Sequence, residues 1–120
     1  MTKKILVADD WPDFSLSLRL LLERAGFAVR TVGTAQDALQ KQRADPADIL
    51  ITDLVMPDMD GFELIMRFRN EFPGTRLVVT SGSDKLNVPT YLSAAKLIGA
   101  DAAFQKPVDP EALLRALRAL

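Results

Sequence analysis

The chain contains neither histidine nor cysteine. Without histidine there can be no Ser–His or Cys–His nucleophile pair and no His-ligated zinc site. Without cysteine there is no disulfide framework and no thiolate chemistry. Any metal must therefore be held by oxygen, which points to a hard cation such as Mg²⁺. Long hydrophobic runs are also missing. No stretch reaches the roughly 18 apolar residues of a membrane span. The start, MTKKILVADD, meets acids after too short an apolar run for a signal peptide. Nor is there an excess of either charge: 15 Lys and Arg face 16 Asp and Glu, a net charge of −1. Nothing here attracts nucleic acid or anionic lipid over long range, and no helix-turn-helix pattern is present. A cytoplasmic location is the expectation.

What remains is a globular balance, 48% hydrophobic and 26% charged over 120 residues, enough for one domain with a core. No repeat, low-complexity tract or linker divides it. Short apolar runs rich in Val and Ile read as strands: KILVA (4–8), AVRTV (28–32), ILIT (49–52), LVVTS (77–81) and AAFQ (102–105). Helical patterns separate them. Phe14, Leu18, Leu21, Leu22 and Ala25 recur at helical spacing before Gly26. Thr34–Asp37 and Asp60–Glu63 have the form of capping boxes. Phe62, Ile65, Phe68 and Phe72 then trace one face, and Val88, Tyr91, Leu92, Ala95 and Ile98 trace another, ended by Gly99. Asp109-Pro110 opens a last amphipathic helix carrying Leu113, Leu114 and Leu117. Strands separated by single helices run parallel with right-handed crossovers, and near-continuous apolar strands suit a sheet covered on both faces. The pattern predicts an α/β fold, a three-layer doubly wound sheet.

In such sheets ligands bind beyond the carboxyl ends of the strands. The first strand ends in Asp9-Asp10, the third in Asp53, the fourth in Ser81 and the fifth in Lys106, whereas the second delivers only Val32-Gly33. A pair of carboxylates about 4 Å apart costs on the order of 4 kcal/mol at an effective dielectric of 20. Gathering three at one edge requires positive charge, from Lys106, from a divalent cation, or from both. An acidic pocket with a lysine and a hydroxyl at its rim suits phosphoryl transfer, in which a carboxylate can serve as nucleophile.

Asp9-Asp10, TDLVMPDMDG (52–61), Thr80-Ser81-Gly82 and Lys106-Pro107 resemble the receiver domain of bacterial response regulators, the CheY-like family. The likeness spans the whole chain, residues 1–120, as a single receiver domain. It implies a flavodoxin-like sheet of order 2-1-3-4-5. It implies that Asp53 accepts a phosphoryl group from a histidine kinase or a histidine phosphotransfer protein and that a downstream effector domain or protein reads the result. Mg²⁺, or another divalent cation such as Mn²⁺, would be held by Asp10, Asp53 and the backbone carbonyl of Val55, with Asp9 acting through water. Ser81 would be the switch hydroxyl, Lys106 would pair with the phosphoryl oxygens, and the Lys106-Pro107 bond would be cis. Homodimers formed through the fourth and fifth helix faces are among the assemblies the family uses.

One position departs from the family pattern. Three residues before the lysine, where an aromatic residue often stands, this chain has Ala103. Phe104 is adjacent, but a one-residue offset points a strand side chain to the opposite face. Output is then expected to pass through the 82–88 loop and the helix after it.

Simpler roles compete at several positions. Asp9-Asp10 could cap the helix at Pro12, Ser81 could end a strand, and Lys106 could be a solvated surface lysine. Asp58 and Asp60 read as turn and cap residues, Met56 and Met59 as packing, and Trp11 as either a cover for the pocket mouth or a partner of the first helix. Three functions are compatible with the chain: a phosphoaccepting signalling domain, a receiver-like module acting by contact alone, and an Asp-nucleophile phosphatase. The full set of Asp9, Asp10, Asp53, Ser81 and Lys106 favours the first. Asp53-Leu54-Val55 lacks the D-x-D that phosphatases of the haloacid dehalogenase type carry. Val55, two residues after the acceptor, offers nothing to orient an attacking water, so slow self-dephosphorylation is expected.

Overall fold

A computed structural model describes residues 2–82 and 88–120. Five strands alternate with five helices: β1 (Lys4–Ala8), α1 (Pro12–Arg24), β2 (Ala28–Val32), α2 (Ala35–Ala44), β3 (Ile49–Asp53), α3 (Gly61–Glu71), β4 (Arg76–Ser81), α4 (Val88–Ile98), β5 (Ala102–Gln105) and α5 (Pro110–Arg118). The strands form one parallel sheet in the order β2-β1-β3-β4-β5. Three strands match the expected runs to the residue. β3 gains Asp53 because the ladder continues past it, with the Leu54 N–H donating to the Thr80 carbonyl at 3.0 Å. β4 gains Arg76, whose N–H donates to the Asp48 carbonyl at 3.0 Å. No helix among the described residues is long and apolar enough to cross a membrane.

Strand parity divides the core into two layers. Leu6, Ala8, Leu50, Leu77 and Val79 pack with Ala35 and Leu39 of α2, Leu64 and Phe68 of α3, and Ala95 of α4. Ile5, Val7, Ile49, Ile51 and Val78 pack with Leu18 and Leu22 of α1 and with Leu113 and Leu117 of α5. Ala103 and Phe104 fall into opposite layers, Ala103 with the first group and Phe104 with the second.

Side-chain oxygens cap the starts of α2, α3 and α5. Thr34 accepts from the Asp37 N–H at 3.0 Å, and Asp109 accepts from the Glu111 N–H at 3.3 Å. Asp60 accepts from Phe62 at 2.8 Å, one residue earlier than a capping box would have it. The α2 terminus has a second, distant acceptor: the Asp58 carboxylate takes the Ala35 and Gln36 N–H groups, each at 2.9 Å. The α1 N-cap is Trp11, not either aspartate, and its side chain makes no capping bond.

The α4 face is only partly core. Ala95 is fully buried, whereas Tyr91 and Ile98 are 36% and 37% exposed. Tyr91 and Ile98 lie seven residues apart along a flank, and the Tyr91 ring meets Phe62 of α3 at 5.8 Å. Helical spacing alone does not separate that flank from the face pressed on the sheet. Residues 83–87, most of the loop expected to transmit output, lie outside the described residues.

Candidate functional site

The site grows from one transverse row of the sheet. Val7, Ile51, Val78 and Ala102 are register partners, as are Asp53, Thr80 and Phe104 two positions further on. Continuing β1 by the same step brings Asp9 beside Asp53. Below this row the layer against α1 and α5 is hydrocarbon; at the row, two of the strands become acidic. Asp9 is 3% exposed and Asp53 is 8% exposed. Asp10, the next residue after Asp9, is exposed to solvent. One carboxylate oxygen from each of Asp9, Asp10 and Asp53 lies within 4.8 Å of the other two.

Lys106 reaches this cluster from beyond β5. Its N–H donates to the Ser81 carbonyl at 2.9 Å, and the Lys106-Pro107 peptide that follows is cis. To meet β1 and β3 the side chain must cross the end of β4, where Gly82 leaves it room. A Cβ at residue 82 would sit 2.8 Å from the Lys106 Cβ and 2.9 Å from its Cδ. The ammonium donates to Asp9 Oδ2 at 2.8 Å and to Asp53 Oδ2 at 3.1 Å. It also stands 4.1 Å from the centroid of the Phe14 ring, a cation–π contact from the first turn of α1. Trp11 stacks on Phe14 with centroids 6.2 Å apart and lines the same cleft, so it serves both roles weighed for it.

Backbone donors hold the other carboxylate oxygen of Asp53 and of Asp9. Asp53 Oδ1 accepts from the Val55 N–H at 3.1 Å, and Asp9 Oδ1 accepts from the Trp11 N–H at 2.9 Å. Burial pushes the Asp53 carboxyl above its ordinary range; the Val55 N–H and the Lys106 charge oppose that rise, and the Asp9 charge adds to it. Burial alone would lower Lys106, but its hydrogen bond to Asp9 and the charges of Asp53 and Asp9 outweigh it, and the net shift is upward. The lysine is therefore firmly charged, and Asp53 favours a further positive partner.

Asp9, Asp10, Asp53 and Lys106 are thus brought together. Val55 joins them through its N–H, and its side chain, 50% exposed, forms part of the cleft wall. Ser81 stands apart. Parity places its side chain on the face of Val79, opposite Asp53, bordering a groove with Met56, Phe62 and Tyr91. It is fully buried, and its hydroxyl has no hydrogen-bond partner among the described residues. Sequence reasoning missed Phe14, which reads as plain core at helical spacing. The one hint was its place in the first turn of a helix that begins just after the acidic pair.

Fold and pocket together define a doubly wound α/β domain with an acidic, lysine-bridged cleft beyond the carboxyl edge of its sheet. Residues 5–118 match the family model for the response regulator receiver domain. The chain is 34% identical over 119 residues to response regulator GtcR of Aneurinibacillus migulanus, covering 96% of this chain and 46% of that protein. It is 37% identical over 111 residues to a Leptolyngbya boryana protein described as an uncharacterized 14.6 kDa protein in the sodA1 3′ region, covering 92% and 84% of the two chains. The crystal structure of a CheY-like receiver domain protein from Methanospirillum hungatei superimposes with a TM-score of 0.86 at 30% identity, covering 99% of this chain and 93% of that one. The chain belongs to the response regulator receiver domain family, the signalling domain of two-component systems. It spans about half the length of most of the curated relatives it matches, such as GtcR.

Proposed function

We propose that residues 1–120 act as one receiver domain in which Asp53 accepts a phosphoryl group from the phosphohistidine of a histidine kinase or histidine phosphotransfer protein. The observation that carries this reading is the Lys106 ammonium bridging two buried carboxylates from different strands, at 2.8 and 3.1 Å. An Asp53 oxygen attacks phosphorus, the phosphorus–nitrogen bond to the donor imidazole breaks, and the electron pair leaves with the imidazole. The product is an acyl phosphate on Asp53. Lys106, already charged and seated on that carboxylate, follows the negative charge onto the phosphoryl oxygens. Ser81 holds a buried hydroxyl in reserve as the switch donor. The change then alters binding to a downstream effector domain or protein, with no nucleic-acid or membrane contact by this chain itself.

The carboxylates outnumber the lysine three to one, so the donor set fits a hard divalent cation. Asp10, Asp53 and the Val55 carbonyl would hold Mg²⁺ or Mn²⁺ directly, and Asp9 through water. Such a cation would supply the charge that neutralises the oxygens in transfer. The domain is a phosphoacceptor rather than a turnover enzyme, with only slow self-phosphorylation from small donors and slow self-dephosphorylation, and it works in the cytoplasm.

Incubation with acetyl phosphate and Mg²⁺, followed by intact mass measurement, tests the assignment. A gain of one phosphoryl group that disappears in Asp53→Asn is expected. No gain in the natural chain would leave a module that acts by contact alone.

A further inference from the structure

We infer that Thr80 is a positioning residue for the Asp53 carboxyl during phosphoryl transfer, an inference that rests on the function proposed above. Thr80 is 1% exposed, and its Oγ1 has no hydrogen-bond partner among the described residues. A buried hydroxyl in that state costs free energy that an apolar isostere would not. Valine is such an isostere, and the same strand places it at positions 78 and 79. Among the described residues, the resting fold therefore offers this donor no acceptor.

Its address suggests the acceptor. Thr80 is the register partner of Asp53 on the neighbouring strand, and paired residues of parallel strands project from the same face. Ser81, the other unpartnered hydroxyl, projects from the opposite face, so the two are not interchangeable.

At rest the Asp53 carboxylate is served by the Val55 N–H on Oδ1 and by Lys106 on Oδ2. Transfer changes that. One oxygen becomes the bridge to phosphorus, and the lysine follows the charge outward. The carboxyl, still buried, loses a donor as the new bond forms. Rotation of Thr80 about Cα–Cβ turns a spare O–H toward the vacated oxygen. The hydroxyl neither gains nor loses a proton; it holds the carboxyl in line for attack and replaces the departed ammonium.

Thr80→Val and Thr80→Ser in the full chain test this against the natural protein. Acetyl phosphate and Mg²⁺ serve as reagents, intact mass gives initial rates, and thermal melts are run alongside. The Val variant is expected to acquire phosphoryl roughly two- to tenfold more slowly, the worth of one hydrogen bond. It should melt at the same temperature as the natural protein or higher. Ser should restore the rate to within about twofold, since it returns the same donor. A purely structural role would move the melting temperature and leave the rate alone. The inference is overturned if Val reacts at the natural rate, if Ser fails to rescue, or if Val melts lower, which would mean that the hydroxyl is bonded at rest. A natural protein that takes up no phosphoryl group would overturn the proposed function and this inference with it. Uptake by the natural protein with an unchanged Val rate overturns this inference alone.

Discussion

Replacing Lys106 by Met should make the fold depend on a divalent cation. The magnitude follows from the geometry. Three carboxylate oxygens within 4.8 Å of one another repel by about 3.5 kcal/mol per pair at an effective dielectric of 20, about 10 kcal/mol together. The two lysine contacts at 2.8 and 3.1 Å return about 11 kcal/mol at the same dielectric. Asp10 is exposed and water weakens its share of the repulsion, so the balance tips toward attraction. A single side chain thus offsets the whole cluster. Met keeps the length of the stem that crosses Gly82 and covers Phe14 but removes the charge. Breaking a buried pair in this way costs about 3–5 kcal/mol. In a domain of this size that is a fall of roughly 10–20 °C in melting temperature.

Thermal melts followed by circular dichroism at neutral pH, first with a chelator and then with millimolar Mg²⁺, provide the assay. The variant should melt far below the natural protein in chelator and recover most of the difference with Mg²⁺, gaining more from the cation than the natural protein does. Acid should narrow the gap as well. Burial raises the folded pKa of Asp53 above its unfolded value, so the native state binds that proton first as pH falls and the repulsion subsides. Lys106 has the opposite window. Its folded pKa is raised, so its contribution is whole below the unfolded value near 10.5 and lost as pH climbs through the folded one. The reasoning is refuted if the variant melts within a few degrees of the natural protein in chelator, or if Mg²⁺ leaves its melting unchanged.

Other perturbations test separate parts of the structure. Gly61→Ala should cost more than about 3 kcal/mol, read as a lower urea midpoint. Its Cβ would lie 2.3 Å from the Leu54 carbonyl oxygen and 2.5 Å from the Leu54 Cα, backbone atoms that cannot swing aside. Asp58→Ala should cost about 1 kcal/mol at neutral pH by removing the second of the two caps of α2. The N–H groups of Gln36 and Ala35 hold the Asp58 carboxyl below its ordinary range. Its contribution is therefore present above the unfolded pKa and fades as pH falls through the folded one, and melts of variant and natural protein should converge in strong acid. Val55→Asn should shorten the lifetime of the phosphorylated form severalfold, because an amide on the cleft wall can orient water where the valine cannot; decay of the phosphoryl mass gives the rate. Mg²⁺ should change the fluorescence of Trp11, the one tryptophan, because its ring lines the cleft.

The strands were legible because their two periodicities agree. Runs such as KILVA and ILIT are short, β-branched and bounded by helical spacing, which leaves few other ways to bury them. Parity alone places Ala103 and Phe104 on opposite faces, and the two core layers take them accordingly. The ends were less legible. A polar residue such as Asp53 or Arg76 keeps the ladder going as long as its backbone finds a partner, and the partner is set by the neighbouring strand. The helix faces failed in a similar way at Tyr91 and Ile98. Apolar spacing identifies a stripe but cannot say how much of its width the sheet will cover.

The candidate site divides along the same line. Asp9, Asp10, Asp53 and Lys106 could be found because each stands at the end of a strand or within two residues of it, and parallel strands bring their carboxyl ends to one edge whatever the packing. Phe14, Asp58 and Thr80 are invisible to that logic, since each acquires its surroundings only through a contact across the fold. Phe14 meets the lysine, 4.1 Å from its ring centroid, because the first turn of α1 and the residue after β5 border the same cleft. Asp58 caps a helix that began more than twenty residues earlier. Thr80 looks like any β-branched strand residue until the register sets it beside Asp53 and its buried hydroxyl finds no partner among the described residues. Charge at the edge of the sheet is written in the order of residues. Which neutral groups surround that charge depends on interlocking surfaces. Those neutral groups are where rate and lifetime can be tuned without touching the acids or the lysine.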